Sequence, residues 1–216
     1  GVEVYPNPGM VSPAGYDDTN RRKYQEKLAK VKAEFEVGMK KDGLSFDFHE
    51  VDATAPQIGP DVAKEARAAD LIVVSATDRD DWTGVESDFV ERLVIAAGTP
   101  TLILPFKGDG ALKIDDIVLG WDNSREASRT AFDAIPLMKL TKCVHIVTVD
   151  AALNGTVPGA TIAEALDRHG ITTKTVNVSS DGLGIGETLI RAARDHGASM
   201  IVMGAYGHGR FTEFIF

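Results

Sequence analysis

The sequence predicts an α/β protein built from two tandem, open parallel sheets, both incomplete in this chain. Three observations carry that prediction. Short apolar runs alternate with segments of helical length and one-sided apolar spacing, the pattern of βαβ units. Several of the runs are continuous rather than alternating and stop at glycine or a polar turn, as strands buried on both faces do; Met200–Met203, closed by Gly204, is the clearest. Finally, residues 35–67 align with 162–194 without a gap, at an offset of 127. Gly43 falls on Gly170, Val51 on Val178, Ile58-Gly59 on Ile185-Gly186, and Ala66-Arg67 on Ala193-Arg194, which marks an internal duplication.

The elements follow in order. Gly1–Asp18, rich in Pro, Gly and Asn, reads as loop. Thr19 opens a helix to about Lys41, because Tyr24, Leu28, Val31, Phe35 and Met39 form a single apolar stripe. Phe46–Val51 alternates and predicts a strand, Gly59–Ala69 a short helix, Leu71–Ser75 a buried strand, Val85–Ala97 a helix and Thr101–Leu104 a strand. Phe106–Lys113 is a linker by composition, placing domain 1 at residues 1–108 and domain 2 at 109–216. The pattern then restarts with a strand at Ile117–Gly120 and a helix from Ser124 to about Met138, interrupted near Pro136. Strands at Val144–Val149 and Thr173–Val178, helices at Thr161–His169 and Ile185–Asp195, and the strand Met200–Met203 complete it. Copy 2 opens with a strand and helix that copy 1 lacks, and copy 1 closes with a helix and strand that copy 2 lacks. The expectation is therefore a piece of a longer chain, trimmed at both ends.

The totals narrow the function. With 23 Lys+Arg against 32 Asp+Glu the net charge is −9, which argues against broad binding to nucleic acid or an anionic membrane. A single cysteine, Cys143, excludes a disulfide framework within the chain, favours a cytoplasmic setting and reads as a buried inert thiol. No apolar stretch reaches the roughly 20 residues of a membrane-spanning helix. The five histidines include no i, i+4 pair, so no metal site is expected, and Asp115-Asp116 reads as a solvated edge.

Chemistry concentrates at two turns. Gly204-Ala205-Tyr206-Gly207-His208-Gly209-Arg210 follows a buried strand, where glycines let backbone amides approach an anion and His208 and Arg210 add positive or potentially positive charge. Asp122 follows the first strand of copy 2, just before Asn123 and Ser124, where helix capping is a rival role. No residues pair as nucleophile and base. Gly182-Leu183-Gly184-Ile185-Gly186 imitates a dinucleotide-binding fingerprint, but its third glycine position is Glu187 and no acidic residue ends the next strand at Met203. No P-loop signature occurs.

The stretches IVLGWDNSREA (Ile117–Ala127) and IVMGAYGHGRF (Ile201–Phe211) resemble the universal stress protein family in its tandem form. Gly204 and Gly207 match the first two glycines of that family's phosphate motif; its third glycine and the following hydroxyl would come after Phe216. The resemblance implies a Rossmann-like sheet of order 3-2-1-4-5 in each domain and a homodimer. It implies an adenine-nucleotide site in domain 2, for ATP with or without Mg2+. Gly204 and Gly207 would close on the phosphates, Asp122 would accept hydrogen bonds from adenine or ribose, Val149 and Met203 would flank the adenine, and His208 and Arg210 would meet the phosphates. Val149 and Met203 would be apolar in a plain core as well, and Trp121 reads as packing. Copy 1 carries Asp78 and Asp81 where copy 2 has Gly207 and Arg210, an acidic loop unsuited to a triphosphate, so it is expected to be a structural half. The function so implied is an ATP-binding cytoplasmic stress switch or sensor with slow hydrolysis or none. The alternative is a nucleotide-independent dimeric scaffold.

Overall fold

The computed structural model describes residues 18–51, 55–77, 88–105, 107, 114–153 and 155–205. The chain divides into two compact units, 1–107 and 108–216. The N-terminal loop, most of the linker, the start of the helix expected from Val85 and the acidic loop with Asp78 and Asp81 lie outside the described residues.

In the first unit, helix α1 (Asp18–Lys41) half-buries Leu28, Val31, Phe35 and Met39, the stripe its spacing predicts. Helix α2 (Ala55–Ala66) packs on α3 (Phe89–Ala97) through Ile58, Val62, Ala63, Val90 and Leu93. The helices cross closely: a Cβ on Gly59 would stand 3.0 Å from the Cβ of Arg92. Gly98, at φ 67°, ends α3 in the left-handed conformation that a Cβ disfavours. Strands β1 (Ile72–Ser75) and β2 (Thr101–Leu104) pair in parallel.

Two expectations fail here. Phe46–Val51 forms no strand ladder among the described residues. Its alternation is genuine, with Phe46 and Phe48 half-buried between exposed neighbours, but both rings pack on Phe35 of α1, at centroid distances of 5.6 and 6.2 Å. Packing of alternate aromatic side chains meets the period of two without any backbone partner. The stretch expected as a buried strand, Leu71–Ser75, is also less buried than expected: β1 starts at Ile72, and Leu71 and Val73 are 37% and 42% exposed.

The second unit is a four-stranded parallel sheet. Its strands are β3 (Asp116–Gly120), β4 (Val144–Val149), β5 (Thr173–Val178) and β6 (Ala198–Val202), in the order β5-β4-β3-β6. Counted within the unit this is 3-2-1-4, in keeping with the expected α/β class. Alternation along the strands splits the core into two layers. Ile117, Leu119, Val144 and Ile146 meet Ala131 of α4 (Arg125–Asp133), Met138 of α5 (Ile135–Met138), and Ile162 and Leu166 of α6 (Ala160–Asp167). Val118 and Val147 meet Leu189, Ala192 and Ala193 of α7 (Ile185–Asp195) on the opposite face.

The break between α4 and α5 falls at Ala134, with Pro136 in the first turn of α5, where its missing N–H costs no helical bond. Ser124 starts α4: its Oγ accepts from the Ala127 N–H at 3.1 Å. Ser124→Ala is expected to lower the stability of the unit by about 0.5–2 kcal/mol, measurable by urea denaturation, with Ser124→Asp retaining most of it. At α7, Glu187 accepts from the Gly184 N–H at 3.2 Å. The glycine run before α7 thus leads into a capped helix, and the residue that spoils the dinucleotide fingerprint is the one that caps.

Candidate functional site

Strand β3 has β4 on one side and β6 on the other, so the chain order reverses at the β3–β6 pair. Beyond the carboxyl ends of such a pair an open α/β sheet leaves a crevice for ligands. Sequence-predicted residues from both strands reach it. Asp122 lies two residues past β3 and is exposed; one carboxylate oxygen accepts from the Ser124 N–H at 2.9 Å, closing the turn that starts α4. Asn123 holds φ 62° in that turn, a value asparagine tolerates better than most residues. The capping role and the crevice position are therefore properties of the same side chain.

Gly204 comes two residues after β6, and its backbone runs against the first turn of α4. A Cβ there would stand 2.7 Å from the Glu126 carbonyl carbon and 2.8 Å from the Ala127 nitrogen. Glycine is thus required at 204 by protein packing alone, through contact rather than backbone angle. The result is that the amino end of α4, the positive end of its dipole, sits beside the carboxyl end of β6. Met203 lies in the same corner, with its Cβ 3.5 Å from where a Cβ on Gly120 would be. Val149 is the last residue of β4; it and Met203 are half-buried and pack on the Val118–Leu189 layer. Gly207, His208 and Arg210 lie outside the described residues.

Glu126, in the first turn of α4, pairs with Arg125, whose guanidinium hydrogen bond holds the Glu126 carboxyl below its ordinary range. The nearby Asp122 carboxylate pulls Glu126 in the opposite direction, which places two acidic groups at this mouth of the crevice. Carboxylates accept hydrogen bonds from hydroxyl and amino groups and repel phosphate. This side of the crevice suits a sugar or base edge.

The rim across the sheet is built by residues that the sequence did not single out. Asn177 of β5 accepts from Thr148 Oγ1 and from the Ala151 N–H, and donates to the Ala151 carbonyl. Asp150 accepts from the Ser180 N–H at 3.0 Å; hydrogen bonds from the side chain and backbone of Ser180 hold its carboxyl below the ordinary range. These contacts link the segments that follow β4 and β5. No local period announces them, because each joins positions more than 25 residues apart.

At the opposite end of the same strands the structure corrects the reading of Asp116. It opens a central strand, not a solvated edge, and its Oδ2 lies 3.0 Å from His145 Nε2. Cys143 is buried as expected, and burial, followed by the charge of Asp116, pushes its thiol upward.

No protein-family model and no curated protein matches the chain. Among solved structures, the universal stress protein from Archaeoglobus fulgidus DSM 4304 matches with a TM-score of 0.69 at 18% identity, over 95% of this chain and 75% of that one. A universal stress protein family member from Burkholderia pseudomallei covers 42% of this chain and 81% of its own at 24% identity, with a TM-score of 0.30. The universal stress protein UspA from Lactobacillus plantarum covers 49% and 92% at 17% identity, with a TM-score of 0.31. The two shorter matches carry no weight beside the first, which spans both units. Among the described residues no helix is long and apolar enough to cross a membrane. The alternating helices, the parallel strands and the match over 95% of the chain together identify its fold as that of the universal stress proteins.

Proposed function

We propose that the chain is a tandem universal stress protein that binds an adenine nucleotide, ATP with or without Mg2+, in the β3–β6 crevice of the second unit. It acts in the cytoplasm as a homodimeric switch or sensor, with little or no turnover. The observation that carries this reading is the convergence of Asp122, Gly204 and the amino end of α4 at the switch point. The exposed Asp122 carboxylate at this corner fits ribose or adenine, and the glycine turn that Gly204 opens would take the phosphates. Gly204 and Gly207 would face the phosphates, with His208 and Arg210 adding charge, while Val149 and Met203 would border the base. Nothing in the constellation supplies a nucleophile with its base, and for that reason the role assigned is binding.

The test is equilibrium binding of Mg-ATP, GTP and AMP to the 216-residue chain. One ATP per chain is expected, in preference to GTP. Asp122→Ala should weaken it roughly 10- to 100-fold, the effect of losing hydrogen bonds to a charged group. Gly207→Asp, which installs the residue of copy 1, should abolish it. Absence of binding at millimolar nucleotide would leave the dimeric scaffold as the function. Two sites per chain would show that the first unit also binds.

A further inference from the structure

We infer a binding site for a zinc-class divalent cation at the amino ends of β3 and β4, formed by Asp116, Cys143 and His145. It is independent of the nucleotide reading and lies at the other end of the sheet. One donor atom from each residue lies within 4.8 Å of the other two. The topology explains the convergence. Cys143 immediately precedes β4 and His145 is its second residue, so the two share a face, and β3 begins beside them with Asp116. All three fall on the α7 side of the sheet, where the His196 ring, at the carboxyl end of α7, stacks on His145 at 4.4 Å. The end of a helix that favours positive charge therefore lies over this cluster.

His145 is the most enclosed of the three donors. The residue is 5% exposed, and its Nδ1 is buried with no hydrogen-bond partner among the described residues. Thiol, imidazole and carboxylate are the three ligand types that zinc accepts together, and two such donors on one tetrahedral ion stand about 3.3–3.6 Å apart. The 3.0 Å between Asp116 Oδ2 and His145 Nε2 is already close to that spacing, so Nε2 is the imidazole donor, and the remaining donor needs only a movement of about 1 Å. Asp116, whose side chain is 26% exposed, opens the cluster to solvent and to a fourth ligand from water. A hard cation such as Mg2+ prefers all-oxygen sites and is excluded by the sulfur and nitrogen donors. On binding, the thiol proton leaves to solvent and the cation bonds the thiolate.

The sequence carried one signal for this site, the Cys143-x-His145 spacing on an expected strand, but its carboxylate is 27 residues away from Cys143. The experiment is titration of the 216-residue chain with Co2+ as a spectroscopic probe, followed by displacement with Zn2+. Because Cys143 is the only cysteine, a thiolate-to-cobalt charge-transfer band can come from nowhere else in the chain. Expected are one equivalent of Co2+, that band, the intense visible spectrum of tetrahedral cobalt, loss of all three on adding Zn2+, and indifference to excess Mg2+. Cys143→Ala should abolish the band, and His145→Gln and Asp116→Asn should each weaken binding at least tenfold. Absence of the band at saturating Co2+, or unchanged affinity in folded His145→Gln, would overturn the proposal. Should a variant fail to fold, the wild-type chain decides: one equivalent of Zn2+ should slow alkylation of Cys143 at least tenfold, and an unchanged rate would overturn it.

Discussion

Ile146→Ala is expected to destabilise the second unit by about 2–5 kcal/mol, the cost of emptying a fully enclosed aliphatic position. Ile146 has no exposed surface and sits in the middle of β4, inside the layer formed by α4, α5 and α6. Its neighbourhood has little capacity to close over a cavity. Gly159, at φ 80°, approaches so near that a Cβ there would stand 2.9 Å from Ile146 Cγ2. The glycine is fixed by its backbone angle as well as by this contact, so the turn before α6 has few ways to move inward. Ile146→Val, which removes one methylene, should cost about 0.5–1.5 kcal/mol. Urea denaturation of a Trp82→Phe background, followed by the fluorescence of Trp121, which packs against the same layer, reports the unit directly. A loss below about 1 kcal/mol for the alanine variant would mean that this layer is not close-packed.

Gly204→Ala carries the second large effect. The added methyl meets backbone atoms of α4, which cannot rotate away as a side-chain tip could. Either β6 or the start of α4 must shift, at a cost of about 1–3 kcal/mol. If the crevice binds nucleotide, the same shift should weaken ATP at least tenfold, because it moves the two walls that border the ligand. Gly38→Ala provides the contrast. Nothing lies within 4 Å of its Cβ position and it is inside a helix, so the change should stabilise by about 0.5–1 kcal/mol. Equal outcomes for the two substitutions would remove the contact with α4 as the reason for glycine at 204.

The fold was legible where local pattern and tertiary environment agree. Strands Thr101–Leu104, Val144–Val149 and Thr173–Val178 and helix Ile185–Asp195 have the bounds their apolar spacing predicts. Phe46–Val51 was misread because alternation reports which side chains are covered and does not report what covers them. At the crevice, the sequence singled out Asp122 and Gly204, both of which the sheet brings to its switch point. The reason for Gly204 was hidden, since the contact that forbids a side chain comes from a helix 78 residues earlier. Asp116 and His145 were hidden for the same cause: a hydrogen bond between two strand starts leaves no trace in either strand's own period.

The place of β3 and β4 in the sheet also bears on how the unit breathes. Each of these strands is hydrogen-bonded on both sides and covered by helices on both faces. Their amide hydrogens are thus released only when the whole unit opens, whereas β5 can peel from its outer side at far lower free energy. The floor of the crevice at Gly120 and Val147 consequently keeps its shape through the local fluctuations that loosen its surroundings, and a ligand resting on it meets a preformed base with adaptable walls.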